Sequence, residues 1–196
     1  MVTTKQIQII APVGLAGSGK SSAVAYFTSK GIPKIYGGGI IYKAMAEAGI
    51  EPTWDNQQQF REEIRAREGK DFVIKRAVGE IRNLIDAGQK KIVFDGLYSW
   101  SEYRLLKREF PGQVKVIAIV TPKHLRYQRM AKRPERPMQP REVDQRDWSE
   151  IENLEKGGPI AIADYFIVND GSLEQLHAQL ESIVQSEHFC KAPEQC

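Results

Sequence analysis

The alternation of short apolar runs with helical stripes predicts an α/β fold, a five-stranded and mainly parallel sheet flanked by helices on both faces. Three observations carry this prediction. Apolar runs of strand length recur near residues 7–13, 32–36, 92–94, 114–120 and 165–168. Between them lie segments whose apolar residues are three and four apart, the helical period. The first run also leads through Gly14-Leu15-Ala16-Gly17-Ser18-Gly19-Lys20-Ser21 directly into a helical stretch. No internal repeat or linker composition interrupts the pattern. The 196 residues therefore read as one domain, residues 1–186, with a flexible tail at 187–196.

Ile7 to Val13 is short and apolar enough for a buried strand, and Ser22 to Phe27 provides a first turn and a half of helix. The loop between them reads G-x-x-x-x-G-K-S. Strand, glycine loop and helix are the context of a phosphate-binding P-loop. Its backbone N–H groups and the helix N-terminus make a positive socket for phosphates. Lys20 is expected to neutralise the β- and γ-phosphates of ATP, and Ser21 to ligate the accompanying Mg²⁺. The backbone of Gly14, Leu15, Ala16, Gly17, Ser18, Gly19, Lys20, Ser21 and Ser22 would cradle the nucleotide. The plain alternative is a glycine-rich turn with a chance Lys-Ser.

Gly31 to Tyr36 reads as a turn into a short second strand. Gly37-Gly38-Gly39 then reads as a loop passing close to something, either the P-loop or a second substrate, before a helix from about Ile40 to Ala48. Thr53 or Asp55 would cap a mostly polar helix, Asn56 to Arg67. The stripe Val73-Ile74, Val78, Ile81 and Leu84-Ile85 marks a helix from Asp71 to Gly88. Ile92-Val93-Phe94 is the third strand and ends at Asp95-Gly96. Ligands of parallel α/β sheets bind at the carboxyl ends of strands, so Asp95 is expected to support Mg²⁺ or orient a nucleophile. The competing reading is a helix cap for the segment starting near Ser99 or Ser101.

A helix to Phe110 and the fourth strand, Val114 to Val120, follow, and Thr121-Pro122 opens another helix. Basic residues then cluster: Lys123, Arg126, Arg129, Lys132, Arg133, Arg136, Arg141 and Arg146. Arg126, Arg129 and Arg133 have the three- and four-residue spacing of one helix face. Pro134, Pro137 and Pro140 forbid the helix from continuing. The result is a basic lid at about 126–146, whose guanidiniums would neutralise charge on a transferred phosphoryl group and exclude water. A solvated basic surface and a phosphate-backbone contact for nucleic acid are the other readings. A helix from Val143 to about Gly157, an apolar turn at Ile160–Ala163, the fifth strand Tyr165–Val168 and a last helix from Leu173 to about Gln185 complete the chain.

Composition excludes some classes. Hydrophobic content of 41%, charged content of 27% and a net charge of +3 are those of an ordinary globular protein, and the charge alone does not argue for nucleic acid. Met1 to Gln6 has no secretory character and no apolar run approaches a membrane span, so a cytoplasmic protein without membrane partners is expected. Cys190 and Cys196 both lie in the tail and read as reduced, exposed thiols.

The pattern resembles the adenylate-kinase-like branch of P-loop kinases, the nucleoside monophosphate kinase superfamily, and most of all the adenylate-kinase-related proteins. The marks are Gly14 to Ser21, Gly31-Ile32-Pro33 with its following glycines, Gly49-Ile50-Glu51-Pro52-Thr53, Asp95-Gly96 with Ser99, Arg146-Asp147, and Ala161 through Leu173. The last segment is also similar to the C-terminal part of dephospho-coenzyme A kinases, which implies that Asn169 and Gly171 lie near the base of bound ATP. Two departures fall where the resemblance puts the acceptor. Gly38-Gly39 stands where relatives carry Gly-Asp, and Leu97-Tyr98-Ser99 where they carry a residue, Arg and Ser. The implied activity is ATP-dependent phosphoryl transfer to a small nucleotide-like acceptor. A nucleoside monophosphate leads, and dephospho-coenzyme A or a nucleoside hydroxyl comes next. A nucleotide-dependent switch or NTPase acting with a nucleic-acid or protein partner is the alternative of another class.

Overall fold

The computed structural model describes residues 7–69 and 71–186; the expected tail at 187–196, with both cysteines, lies outside them. In chain order the elements begin with β1 (Gln8–Val13), α1 (Lys20–Ser29), β2 (Lys34–Tyr36), α2 (Gly37–Glu47), α3 (Trp54–Glu68) and α4 (Phe72–Asp86). They continue with β3 (Lys91–Asp95), α5 (Trp100–Glu109), β4 (Val114–Val120), α6 (Lys123–Ala131) and α7 (Pro140–Glu152). The short α8 (Gly157–Ala161), β5 (Tyr165–Val168) and α9 (Leu173–Gln185) close the series.

The strands form one sheet of order β2-β3-β1-β4-β5, and all four pairings are parallel. Parallel neighbours require crossovers, which the helices supply, so both sheet faces are covered. Side chains along β1 alternate accordingly. Ile9, Ala11 and Val13 pack with α2, α3, α4 and α5 in the larger core, whereas Ile10 joins Phe27, Ile117, Leu176 and Leu180 under α1 and α9. The fold is that of a P-loop nucleotide-binding domain. Among the described residues no helix is long and apolar enough to cross a membrane.

Three expectations about elements are corrected. Gly37-Gly38-Gly39 is the first turn of α2 and not a loop. Its glycines serve contact: a Cβ on Gly37 would stand 2.9 Å from the Gly96 Cα, and one on Gly38 would strike the Tyr36 ring at 2.5 Å. Tertiary approach here outweighs the poor helix propensity of glycine. Residues 160–163, expected as an apolar turn, lie partly in α8. Helix α7 begins at Pro140, three residues before the expected Val143, because proline suits the first helical position and Gln139 with Glu142 completes a capping box there.

β1 lies at the sheet's centre, where its neighbours β3 and β4 lead to opposite halves. Such a divergence opens a crevice at the carboxyl ends of the strands. The glycine loop that follows β1 falls in it.

Candidate functional site

The crevice is a cleft of about 1310 Å³. The whole loop from Gly14 to Ser22 lines it, together with Asp95, Tyr98, Arg129, Arg133, Arg146 and Lys156. The loop's shape depends on close packing beneath it. Gly19 has φ 100°, and a Cβ there would collide with the Asn169 side-chain amide. That amide donates to the Ser18 carbonyl at 2.7 Å. The Thr121 hydroxyl lies 3.0 Å from the same carbonyl and 2.9 Å from the Asn169 carbonyl, and Arg129 Nη1 donates to it at 3.3 Å. The ends of β4 and β5 thus buttress the loop from behind. Helix α1 has Gly19 as its N-cap, so it carries no side-chain cap, and it has no acid in its first turn, which leaves its amides for an anion.

Lys20 and Asp95 form an ion pair across the cleft, joining the loop to the end of β3. Asp95 is opposite Tyr36 in the β2–β3 register, so two strand ends converge there. Asp95 does not cap the following helix. Ser99 does, accepting from the Glu102 amide at 3.1 Å, while Glu102 Oε2 accepts from Ser99 N and Tyr98 N at 2.9 and 2.8 Å.

The basic cluster divides. Arg126 is 6% exposed and its guanidinium meets Asp147 of α7 in a bidentate pair, Nη1 to Oδ1 at 2.9 Å and Nη2 to Oδ2 at 2.6 Å. Nη1 also donates to the Ala16 carbonyl at 3.1 Å. Arg126 therefore stands behind the loop and does not face the cleft, contrary to the expectation drawn from its spacing. Arg129 reaches the cleft from α6, and Arg133 reaches it from beyond the helix end, exposed at the rim. Arg136 and Arg141 lie outside the lining, whereas Arg146 belongs to it. Met130 and Val143 pack on Ala16, with Met138 against them, so residues 126–146 are fastened to the P-loop by a small apolar cluster. Asn169 and Gly171, expected beside a base, are not among the residues lining the cleft, and the Asn169 amide bonds the loop backbone.

Tyr98 falls at the departure noted in the expected acceptor segment, whereas the wall residues Glu150 and Lys156 were not anticipated. Tyr98 has Lys20 Nζ 5.8 Å and Lys156 Nζ 5.4 Å from its ring centroid. Burial, aided by the Asp95 charge, pushes its phenol well above the usual tyrosine range, so it stays a neutral hydrogen-bonding group. Lys156 is 5% exposed and donates to Glu150 Oε2 at 2.8 Å, while Arg146 Nε donates to Glu150 Oε1 at 2.9 Å. Burial lowers the Lys156 ammonium, which its single carboxylate partner does not fully offset. Burial alone would raise Glu150, but two cationic neighbours, Lys156 first, outweigh it and hold the carboxyl below its usual range. The four-residue step from Arg146 to Glu150 was a legible pairing signal. Lys156, Thr121 and the buried environment of Tyr98 had none, because tertiary packing alone sets them.

Residues 10–156 match the family described as AAA domain. A UPF0200 protein of Thermococcus onnurineus is 33% identical over 180 residues, which cover 90% of this chain and 96% of that protein. A shikimate kinase from Bacteroides thetaiotaomicron superposes with a TM-score of 0.56 at 10% identity, covering 91% of this chain and 97% of its own. A gluconokinase from Sinorhizobium meliloti gives a TM-score of 0.50 at 18% identity, with 94% and 97% covered. At these identities the likeness to the two kinases is one of fold.

Proposed function

We propose, for a chain that belongs to the AAA-domain family and to the UPF0200 proteins, ATP-dependent phosphoryl transfer to a small nucleotide-like acceptor. The observation that carries this reading is the meeting of Lys20, Asp95, Arg129 and Arg133 on one cleft beneath an uncapped helix start. Phosphoryl transfer needs little covalent help from a protein and much positioning and charge stabilisation. Lys20 exchanges its Asp95 partner for the β- and γ-phosphates, and the amides of Gly14 to Ser22 cradle them. The bond from the β–γ bridging oxygen to the γ phosphorus breaks, leaving its electron pair on ADP, as a bond to an acceptor oxygen forms. A hydroxyl acceptor gives its proton to Asp95; a phosphate acceptor has none to give. Arg129 and Arg133 neutralise the transferred group, and residues 126–146 act as the lid that excludes water.

Ser21 and Asp95 offer the hard oxygen donors that suit Mg²⁺, which when bound neutralises charge on the phosphate oxygens. Among the described residues no group of three or more His, Cys, Asp or Glu side chains converges, so phosphates and water would complete the ion's shell. A nucleoside monophosphate is the leading acceptor, ahead of dephospho-coenzyme A and nucleosides. The second uncapped helix start at the cleft, α2 with Gly37 and Gly38 in its wall, suits an anionic acceptor.

The test is ADP release from ATP and Mg²⁺, screened over nucleoside monophosphates, nucleosides, dephospho-coenzyme A, shikimate and gluconate, with Lys20→Ala alongside. One acceptor is expected to raise turnover by orders of magnitude in the parent and not in the variant. ATP binding with only slow acceptor-independent hydrolysis would replace the kinase reading with a nucleotide-dependent switch.

A further inference from the structure

Lys156 is placed at a cost that its fold role does not explain. The chain reaches it through Glu155, a non-glycine residue at φ 53°, in the left-handed region that side chains disfavour. The Lys156 amide then bonds the Glu150 carbonyl at 3.1 Å while its ammonium bonds the Glu150 carboxylate, so one residue clasps it at both ends. A buried ion pair is a weak stabiliser, and an apolar pair of similar volume serves a fold equally well. Lys156 nevertheless lines the cleft, its ammonium against the same tyrosine ring as the P-loop lysine. An ammonium has three donors. Among the described residues one of them is used, on Glu150. The others remain for an acceptor of hydrogen bonds in the cleft.

We propose that Lys156, seated on Tyr98 and oriented by Glu150, is the acceptor-side anion site, holding a phosphate or carboxylate of the phosphoryl acceptor one tyrosine ring away from Lys20. The inference rests on the kinase reading and deepens it by naming the acceptor's class: a small molecule that carries an oxyanion besides the oxygen to be phosphorylated, or whose phosphate is itself that oxygen's source. Arg146 shares Glu150 and keeps its charge balanced when the Lys156 ammonium turns toward substrate. The neutral Tyr98 phenol adds a hydrogen-bonding group beside that anion without repelling it.

The experiment is calorimetric titration of the full chain saturated with Mg²⁺ and the non-hydrolysable analogue AMP-PNP. AMP and gluconate serve as the phosphate and carboxylate probes, with adenosine and glucose as their uncharged counterparts. One anionic probe should bind at least about tenfold more tightly than its counterpart, as a charge-assisted hydrogen bond allows. Lys156→Met should erase that preference and leave AMP-PNP affinity in place, while Lys156→Arg should keep most of it. Which probe is preferred separates phosphate from carboxylate. An unchanged preference in Lys156→Met, equal loss in Lys156→Arg, or no preference in the parent would each overturn the proposal with AMP-PNP binding intact. If AMP-PNP itself fails to bind the parent, the kinase reading falls and this site falls with it.

Discussion

Arg126 and Asp147 illustrate how one buried pair governs the loop above it. Both side chains are less than a tenth exposed, both guanidinium ends are used, and Nη1 holds the Ala16 carbonyl. Removing one partner of such a pair strands a desolvated charge, which costs about 3–5 kcal/mol. Asp147→Ala should therefore lower stability by about that amount in urea unfolding. Nucleotide affinity should fall as well, because the freed guanidinium no longer fixes Ala16. An unchanged unfolding midpoint would show that the pair does not fasten the P-loop. Spacing had put Arg126 on the same face as Arg129 and Arg133, and for Arg129 that was informative. It could not reveal a carboxylate 21 residues away that pulls Arg126 behind the loop. Local periodicity says which residues share a face, and only packing says which of them meets water.

Elements were most legible where local chemistry decides them. Val114–Val120 and Tyr165–Val168 appear with their expected bounds because runs rich in β-branched and aromatic residues suit strands. The three glycines of α2 were legible as a close approach but not as a helix, since their neighbours, Gly96 and the Tyr36 ring, come from the fold. The start of α5 combines both kinds of information. Its capping box ties Ser99 and Glu102 together and also holds the Tyr98 amide at the cleft. Ser99→Ala should cost about 1 kcal/mol in chemical unfolding, and a value near zero would mean that Glu102 alone secures this turn. The α1–α9 contact carries a pH signature. Glu181 of α9 meets Lys30 and Tyr26, and these partners, Lys30 first, hold its carboxyl down to about 2. A depressed carboxyl stabilises the fold above its unfolded value of 4.5 and loses that contribution as pH falls toward 2. Glu181→Gln should therefore be less stable than the parent at pH 6, with the gap closing between pH 4.5 and 2. Because the group is exposed, the gap should be small and should shrink with salt. A gap that persists at pH 2 would assign the effect to packing.

At the scale of the molecule, the cleft lies where the two halves of the sheet diverge on either side of β1. Lys20 ties the loop to β3 through Asp95, while Asn169 and Thr121 tie it to β5 and β4 through the Ser18 carbonyl. A nucleotide bound to this loop therefore touches anchors from both halves, and its binding energy should appear in global unfolding rather than in one local unit. Ligand that binds only the folded state stabilises it by about 2.7 kcal/mol at one hundred times its Kd. In a domain of this size each kcal/mol raises Tm by about 2–4 °C. AMP-PNP with Mg²⁺ should thus raise the Tm of the parent by about 5–10 °C in a single cooperative transition, as those two relations combine. Lys20→Ala should lose most of that shift, because the ammonium that answers the phosphates is gone. It also frees Asp95, so the variant's own Tm must be taken as its baseline. A split transition, with one part moving and the other fixed, would mean that the two halves unfold independently and that the P-loop does not couple them.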